Sequence, residues 1–423
     1  MRLEGKKVLI LGGAYQHIKL VKSAQSMGVT TYVTDYLDCE SSPAKIIADR
    51  ALMYDIMDTD ALIRFCKDEQ IDGVIGCYLD RAQLPYATIC ASLGYACFAS
   101  PEQFHAFTNK RLFTSLLKAQ GLKVIPEYAE DDFNHPETIS GDIFPLIVKP
   151  SDSRGSRGQT ICETVSDVRH AIPYAKCESQ NKQVIIQKYM GRRNDFEAEY
   201  LIVNGHPYLV STGDRMTGSE GSGIETLNTV SVVPSLRETE FLNSAHKKIS
   251  SFLANQRLAN SPVFLQGVFT GEDLFLYDPG LRFMGDDRHN LWARHSIDIP
   301  GMMIKFAITG SISDEIINEN QFLLTQKGIL VYPAIRKGVI KRICGLDEVR
   351  MHPDICSFYL KYKELDVVEQ YNDLRQRFGE FVIRGKSYHQ ILATIKWLFE
   401  TLLVYDSNGN NMLCEQYNAM SII

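Results

Sequence analysis

The chain has 423 residues, enough for two or three domains with sizeable cores. Its composition, 45% apolar and 23% charged, is that of a globular protein and excludes a disordered or fibrous chain. The 45 basic and 51 acidic residues are interspersed, giving a net charge of -6, so the broad basic field of a nucleic-acid or anionic-membrane binder is absent. A polyphosphate ligand would need a local basic pocket.

The first hundred residues alternate strand and helix. Val8-Leu-Ile-Leu11 is a strand length, too short for a signal sequence or a membrane span, and Gly12-Gly13 follows it. An amphipathic helix is expected over 17–27, then a strand over 30–34 ending in Asp35, a helix over 60–66 and a buried strand over 73–77. This βαβ rhythm predicts a parallel sheet with helices on both faces, and places Gly12, Gly13, Asp35, Asp80 and Arg81 near the carboxyl ends of its strands. The later glycines of a dinucleotide fingerprint are missing after Gly12-Gly13, which disfavours NAD binding.

From Ser100-Pro101 the texture changes. An amphipathic helix over 109–118 ends near Gly121, and between 143 and 210 the chain reads mostly as strands separated by polar loops, with a hairpin signal at Asn204-Gly205. A helix over 237–254 precedes two strands, 263–269 and 274–277, around the turn at Gly271. The last hundred residues carry short strands at 328–333, 338–344 and 381–384, and a helix over 388–403. The expected architecture is α/β and α+β multidomain: a Rossmann-like parallel-sheet domain over 1–100, an α+β unit with antiparallel sheets over 101–320, and a small C-terminal α+β domain over 321–423.

The ten cysteines show neither C-x-x-C spacing nor His partners at zinc-ligand spacing. They read as small hydrophobes in a reducing, cytoplasmic compartment.

Four features, in order, carry chemistry. They are Asn109-Lys110 opening a helix; the strand ending at Lys149 before a loop with Gly155, Ser156, Arg157 and Gly158; the strand 184–190 followed by Asp195; and Gln266 facing Asp278-Pro-Gly280-Leu-Arg282 across a tight turn. Each has a physical role if the ligand is ATP. Lys110 and Lys149 neutralise the phosphate chain, and amides of 155–158 donate to its oxygens. The edge at Gln187-Lys188-Tyr189 reads adenine, Asp195 accepts from ribose, and Gln266 and Asp278 offer oxygen ligands to magnesium.

In this order the sequence resembles the ATP-grasp superfamily, in the branch containing biotin carboxylase, carbamoyl phosphate synthetase and the L-amino acid ligases. The resemblance implies a two-part ATP-grasp module over 101–320, with a lid roughly over 122–188. It also implies phosphate-binding roles for Lys110 and Lys149, an adenine segment at Gln187-Lys188-Tyr189, and a ribose-binding acid at Asp195, with Glu197 or Glu199 as alternatives. ATP with magnesium, or manganese in its place, is the implied cofactor set, with metal at Gln266 and Asp278 and with Lys149 and Arg282 on the reacting groups. The metal motif departs from E-x-N-x-R, because Gly280 offers no side-chain ligand where relatives carry Asn. The implied activity is an ATP-dependent carboxylate–amine ligase that forms an acyl phosphate and releases ADP and phosphate. Two other readings stand beside it: a bicarbonate-activating carboxylase or carbamoyl phosphate synthetase-like enzyme, and a nucleotide-binding protein with weakened catalysis. Small-molecule carboxylate and amine substrates are implied, with no nucleic acid or membrane partner, and a homodimer by analogy. Asp80, Arg81, Arg157, Asp214 and His289 are further substrate-contact candidates, as is the second glycine-rich loop, 214–223, which reads equally as a plain flexible loop.

Overall fold

The computed structural model describes residues 3–135, 139–151, 157–179, 181–191, 195–218, 227–292, 298–312, 326–370 and 373–414. The N-terminal unit consists of β1 (Lys7–Leu11), α1 (Ile18–Ser26), β2 (Thr30–Thr34), α2 (Pro43–Ile47), β3 (Arg50–Leu52), α3 (Thr59–Asp68), β4 (Gly73–Ile75) and α4 (Gln83–Leu93). Its strands form one parallel sheet in the order β3-β2-β1-β4, as the βαβ rhythm predicts. Val8, Leu9, Ile10 and Leu11 are fully buried, so the first apolar run is the centre of this sheet.

Helices α5 (Pro101–Thr108) and α6 (Lys110–Ala119) lead into a small sheet of β5 (Glu127–Tyr128), β6 (Leu146–Pro150), β7 (Thr160–Cys162) and β8 (Val184–Lys188), ordered β5-β8-β6-β7. The helix α7 (Val165–Cys177) packs on it, with its own apolar cluster around Leu146, Val148, Val168 and Ile186. Sequence patterning missed α7 because Pro173 lies inside it. The usable signal was the capping box, in which Thr164 accepts from the Asp167 amide and the Asp167 carboxylate accepts from the Thr164 amide.

The large sheet begins with β9 (Asp195–Val203), β10 (His206–Thr217) and β11 (Asn228–Val233), and continues after α8 (Glu238–Ser244) and α9 (His246–Asn255) with β12 (Ser261–Phe269) and β13 (Leu274–Gly280). Asn204 and Gly205 both take positive φ in the β9–β10 turn, the conformation their pairing predicts. The helix expected over 237–254 is divided at Ala245, and the Tyr200 hydroxyl pairs with His246 Nδ1 at 2.9 Å where α9 begins.

Beyond α10 (Ile299–Thr309) come β14 (Lys327–Val331), β15 (Gly338–Val339), β16 (Arg342–Cys344), α11 (Leu346–Met351), β17 (Ile355–Leu360), β18 (Val367–Val368), β19 (Gly379–Gly385), α12 (Tyr388–Thr401) and β20 (Leu403–Tyr405). The large sheet has eight strands in the order β13-β12-β9-β10-β11-β14-β19-β17, so it runs without a break across the boundary expected near 320. The helix α10 returns to the N-terminal sheet. A Cβ at Gly73 on β4 would meet the Ala307 carbonyl oxygen at 2.1 Å, so only glycine permits this contact. Pro300 and Gly301 make the α10 segment look broken in sequence, but Pro300 sits in the first turn, where no donor is lost, and Asp298 caps the helix by accepting from the Gly301 amide.

Cys66, Cys77, Cys90 and Cys162 are buried as expected of small hydrophobes, whereas Cys39 and Cys177 are exposed thiols. Among the described residues no helix is long and apolar enough to cross a membrane.

Candidate functional site

A cavity of about 380 Å³ lies where the small sheet, α6, the large sheet and the end of β4 meet. It is lined by eleven of the predicted residues: Asp80, Lys110, Lys149, Gln187, Lys188, Tyr189, Asp195, Glu197, Gln266, Asp278 and Arg282.

Two cations reach it from different elements. Asn109 caps α6 by accepting from the Arg111 and Leu112 amides, which fixes Lys110 at the first helical position. Lys110 Nζ lies 3.0 Å from Asp278 Oδ1. Lys149 ends β6 and is only 5% exposed, with its ammonium 5.2 Å from the centre of the Tyr277 ring. Burial, reinforced by the nearby Lys110 charge, pushes the Lys149 pKa down to about 8, against the pull of Asp278, Glu127 and Asp195. Two crowded ammonium groups with one shared carboxylate suit a polyanion. Gln187 adds a buried Oε1 that has no hydrogen-bond partner among the described residues, so β8 also has an unspent acceptor for a ligand N–H.

Gln266 on β12 pairs in register with Asp278 on β13 and with Glu197 on β9, so three oxygen-bearing side chains lie in a row across the sheet. Glu197 is engaged by Arg288 at 2.5 Å and by Arg215 at 3.6 Å. Among the described residues no group of three or more His, Cys, Asp or Glu could hold a metal ion by itself. Asp278 and Gln266, paired in register, offer one carboxylate and one amide oxygen, donors of the kind magnesium accepts beside phosphate and water.

Asp195 sits at the head of β9. It accepts from the Tyr277 hydroxyl at 2.5 Å and from Arg215 at 2.9 Å. Burial pushes its pKa up, opposed by Arg215 and the Tyr277 hydroxyl. Arg282 is held on three sides: it pairs with Asp80 through Nε and Nη2, donates from Nη1 to the Phe283 carbonyl at 2.7 Å, and lies 4.5 Å from the Phe264 ring centre. The Lys188 ammonium donates to the carbonyls of Ile143 and Phe144 at 2.8 and 2.7 Å, so its side-chain tip closes the turn before β6.

Several weaker candidates do not line the cavity. Arg81 pairs with Asp55 and covers the Tyr36 ring on the surface. Asp214 is buried in β10 and accepts from Ser235, the Leu236 amide and Arg237, which anchors the turn into α8. His289 is buried between Tyr78, whose hydroxyl is 3.1 Å from Nδ1, and Glu199, 3.5 Å from Nε2. Arg157 lies 3.7 Å from Glu178 and 3.8 Å from Asp373. Gly158 has φ +72°, and a Cβ there would meet Pro150 at 2.7 Å, so it serves in this structure as a tight turn against β6. Gly155 and Ser156 lie outside the described residues, as does 219–223 of the second glycine-rich loop.

Arg215, Thr217, Asn228, Tyr277, Asp286, Tyr332 and Arg377 also line the cavity; Arg215 and Thr217 fall in the 214–223 loop, a substrate-contact candidate as a segment, and sequence reading gave the other five no role. The alternation Asp195-x-Glu197-x-Glu199 was a legible sign of one polar strand face. Arg215 was hidden because the segment from Asp214 reads as loop, although β10 runs to Thr217. Arg377 comes from a distant segment and had no local signal.

A profile described as carbamoyl-phosphate synthase L chain, ATP binding domain, matches residues 109–216, the stretch that supplies both lysines and Asp195. The solved structure of an L-amino acid ligase from Bacillus licheniformis superposes with a TM-score of 0.77 at 17% identity, covering 96% of this chain and all of the other. The biotin carboxylase domain of the Hydrogenobacter thermophilus 2-oxoglutarate carboxylase, solved with MgADP, ADP and bicarbonate, gives 0.72 at 15% identity, covering 94% and 90%. The fold is the ATP-grasp fold. Among curated proteins, the formate-dependent phosphoribosylglycinamide formyltransferase of Sulfurisphaera tokodaii is 28% identical over 193 residues, 44% of this chain and 47% of that protein. That of Bacillus subtilis is 24% identical over 230 residues, 50% and 55% respectively. The chain thus spans about half the length of the curated relatives it matches.

Proposed function

We propose that the protein is an ATP-dependent carboxylate–amine ligase acting on small molecules, with ATP and magnesium as its cofactor set. The observation that carries this reading is the convergence of Lys110 and Lys149, from separate elements, on Asp278 and Gln266 in one cavity. The same arrangement of domains in a MgADP-bound biotin carboxylase and in an L-amino acid ligase supports it.

In this reading a substrate carboxylate oxygen bonds to the γ-phosphorus of ATP and ADP leaves. An amine then bonds to the acyl carbon, phosphate departs, and the amine loses a proton to solvent or a base. The bound metal would neutralise phosphate charge between Asp278 and Gln266. Lys110 and Lys149 offset the remaining negative charge, and the buried setting of Lys149 strengthens that interaction. Arg282 arrives pre-oriented by Asp80 and Phe264, so little reorganisation is needed when charge develops beside it. The lid sheet carrying Lys149 and Gln187 covers the site, as protection of an acyl phosphate from water requires.

The test is phosphate release from ATP and magnesium with pooled amines and with formate, other small carboxylates or bicarbonate. Release that needs both a carboxylate and an amine supports the ligase. Release with bicarbonate alone moves the protein to the carboxylase reading. ADP binding without stimulated release from any pool identifies a nucleotide-binding protein with weakened catalysis, the reading that Gly280 favours.

A further inference from the structure

The proposed nucleotide and metal contacts lie on the lid, on α6, and on the β13, β12 and β9 side of the cavity floor. The rest of the floor is built by β10, β11 and the segments after β14 and before β19. There Thr217 and Asn228 face each other in the antiparallel register of β10 and β11, and both line the cavity. Thr217 Oγ1 and Asn228 Oδ1 are buried without a hydrogen-bond partner among the described residues. Asn228 is 6% exposed, and its amide nitrogen donates to Ser231 Oγ at 3.0 Å, which leaves the side-chain oxygen unspent. Buried oxygens left unpaired are destabilising, so two of them side by side in a cavity point to a ligand that pairs them.

A cation stands beside them. The Arg377 guanidinium covers the Tyr332 ring at 3.9 Å and donates from Nε and Nη2 to the Asn228 backbone carbonyl at 3.1 and 2.7 Å. These bonds go to a neutral carbonyl, so they position the charge without cancelling it. From Gln266 on β12, β11 is three strands away, through β9 and β10. At the usual strand spacing that is about 14 Å along the sheet. A molecule the size of formate or bicarbonate at the metal end cannot also reach Asn228.

We propose that Thr217, Asn228 and Arg377 recognise the distal part of an extended second substrate, and that the recognised group carries N–H donors next to an anion, as in a carboxamide or amine beside a carboxylate. The name "second substrate" rests on the ligase reading; the recognition chemistry does not.

The test uses the full chain and three probes on one carbon skeleton: succinamate, with an amide and a carboxylate; succinate, without N–H donors; and succinamide, without charge. Binding is measured by calorimetry with and without MgADP. Succinamate should bind at least about 10-fold more tightly than either other probe. Thr217→Val and Asn228→Leu should each remove the preference over succinate, Arg377→Gln should remove the preference over succinamide, and MgADP affinity should stay constant throughout. Thr217→Val, nearly isosteric, keeps the test decisive if Asn228→Leu does not fold. Equal binding of the probes, no binding of succinamate, or a preference untouched by Thr217→Val would overturn the proposal. Loss of MgADP affinity in Thr217→Val or Asn228→Leu would also overturn it, because the nucleotide would then occupy this half. Failure of the unaltered protein to bind MgADP would instead count against the nucleotide reading, and the succinamate preference measured without MgADP would still decide this one.

Discussion

Lys110 Nζ and Asp278 Oδ1 are 3.0 Å apart, so the cation assigned to phosphate and the anion assigned to metal neutralise each other. A nucleotide that draws Lys110 toward its phosphates frees Asp278 for the metal, and a metal on Asp278 frees Lys110 for phosphate. In the proposed reading the two would bind as a unit by electrostatic linkage. Asp278→Asn keeps the shape and removes the charge. It should raise the magnesium needed for half-maximal ADP binding by about 10-fold, roughly the loss of one charge-assisted contact. A magnesium titration that does not move would take Asp278 out of the metal site.

The depressed pKa of Lys149 makes a prediction about protons. The folded group titrates at about 8, against 10.5 for an ordinary lysine, because it is buried beside Lys110. Between those values the unfolded chain binds more protons than the folded one, so this group's contribution to stability improves as pH rises through the window and is least favourable below about 8. Lys149→Met should therefore unfold at a higher temperature at pH 7 and lose the rise in stability that the unaltered protein shows from pH 8 upward. Arriving phosphate charge must also raise the Lys149 pKa, so ADP binding at pH 8.5 should take up protons. Calorimetry in buffers of different ionisation enthalpy measures this, and equal uptake in Lys149→Met would assign the proton elsewhere.

Asp80 reaches Arg282 from the end of the N-terminal sheet, joining the substrate side of the cavity to β13. Asp80→Asn keeps a hydrogen bond but gives up the bidentate ion pair that orients the guanidinium. Turnover should fall by roughly 10²-fold, the usual scale for a misplaced charge-stabilising group, while MgADP affinity stays within about 2-fold. Equal losses in both quantities would mean that Arg282 serves the nucleotide rather than the reacting groups.

What the sequence disclosed follows from how local each signal is. The N-terminal sheet was readable because Val8 to Leu11 is a continuous apolar run, and fully buried parallel strands are encoded in that way. Lys110, Lys149, Gln266 and Asp278 were readable because each sits at a marked place on its element: a capped helix start, a strand end, and a register pair across a hairpin. The partner of Arg282 was not readable, because Asp80 lies 202 residues away and the two meet only when α10 and β4 bring the units together. Arg377 was hidden for the same reason, held by a carbonyl 149 residues distant. Lys188 shows a further limit: spacing places it in the adenine segment, but its ammonium donates to three carbonyls from 142 to 144, a contact with no local signal.

Gly280 is the position where the metal motif departs, and its surroundings set what restoring Asn would do. A Cβ at 280 would come to 3.2 Å from Phe264 Cδ1 and 3.3 Å from Arg282 Cγ, closer than ordinary contact, so both neighbours must yield by a few tenths of an ångström. Phe264 is 2% exposed in the core of β12, and the same ring supports the Arg282 guanidinium. Gly280→Asn should thus cost about 1–3 kcal/mol in thermal or denaturant unfolding, the usual range for overpacking. The gained side-chain oxygen lies beside Asp278 on the same strand and should lower the magnesium requirement for ADP binding. The displacement of Arg282 should at the same time lower turnover, separating metal affinity from rate. A variant with full stability and higher turnover would show that Phe264 and Arg282 can move aside freely, and that glycine at 280 limits catalysis.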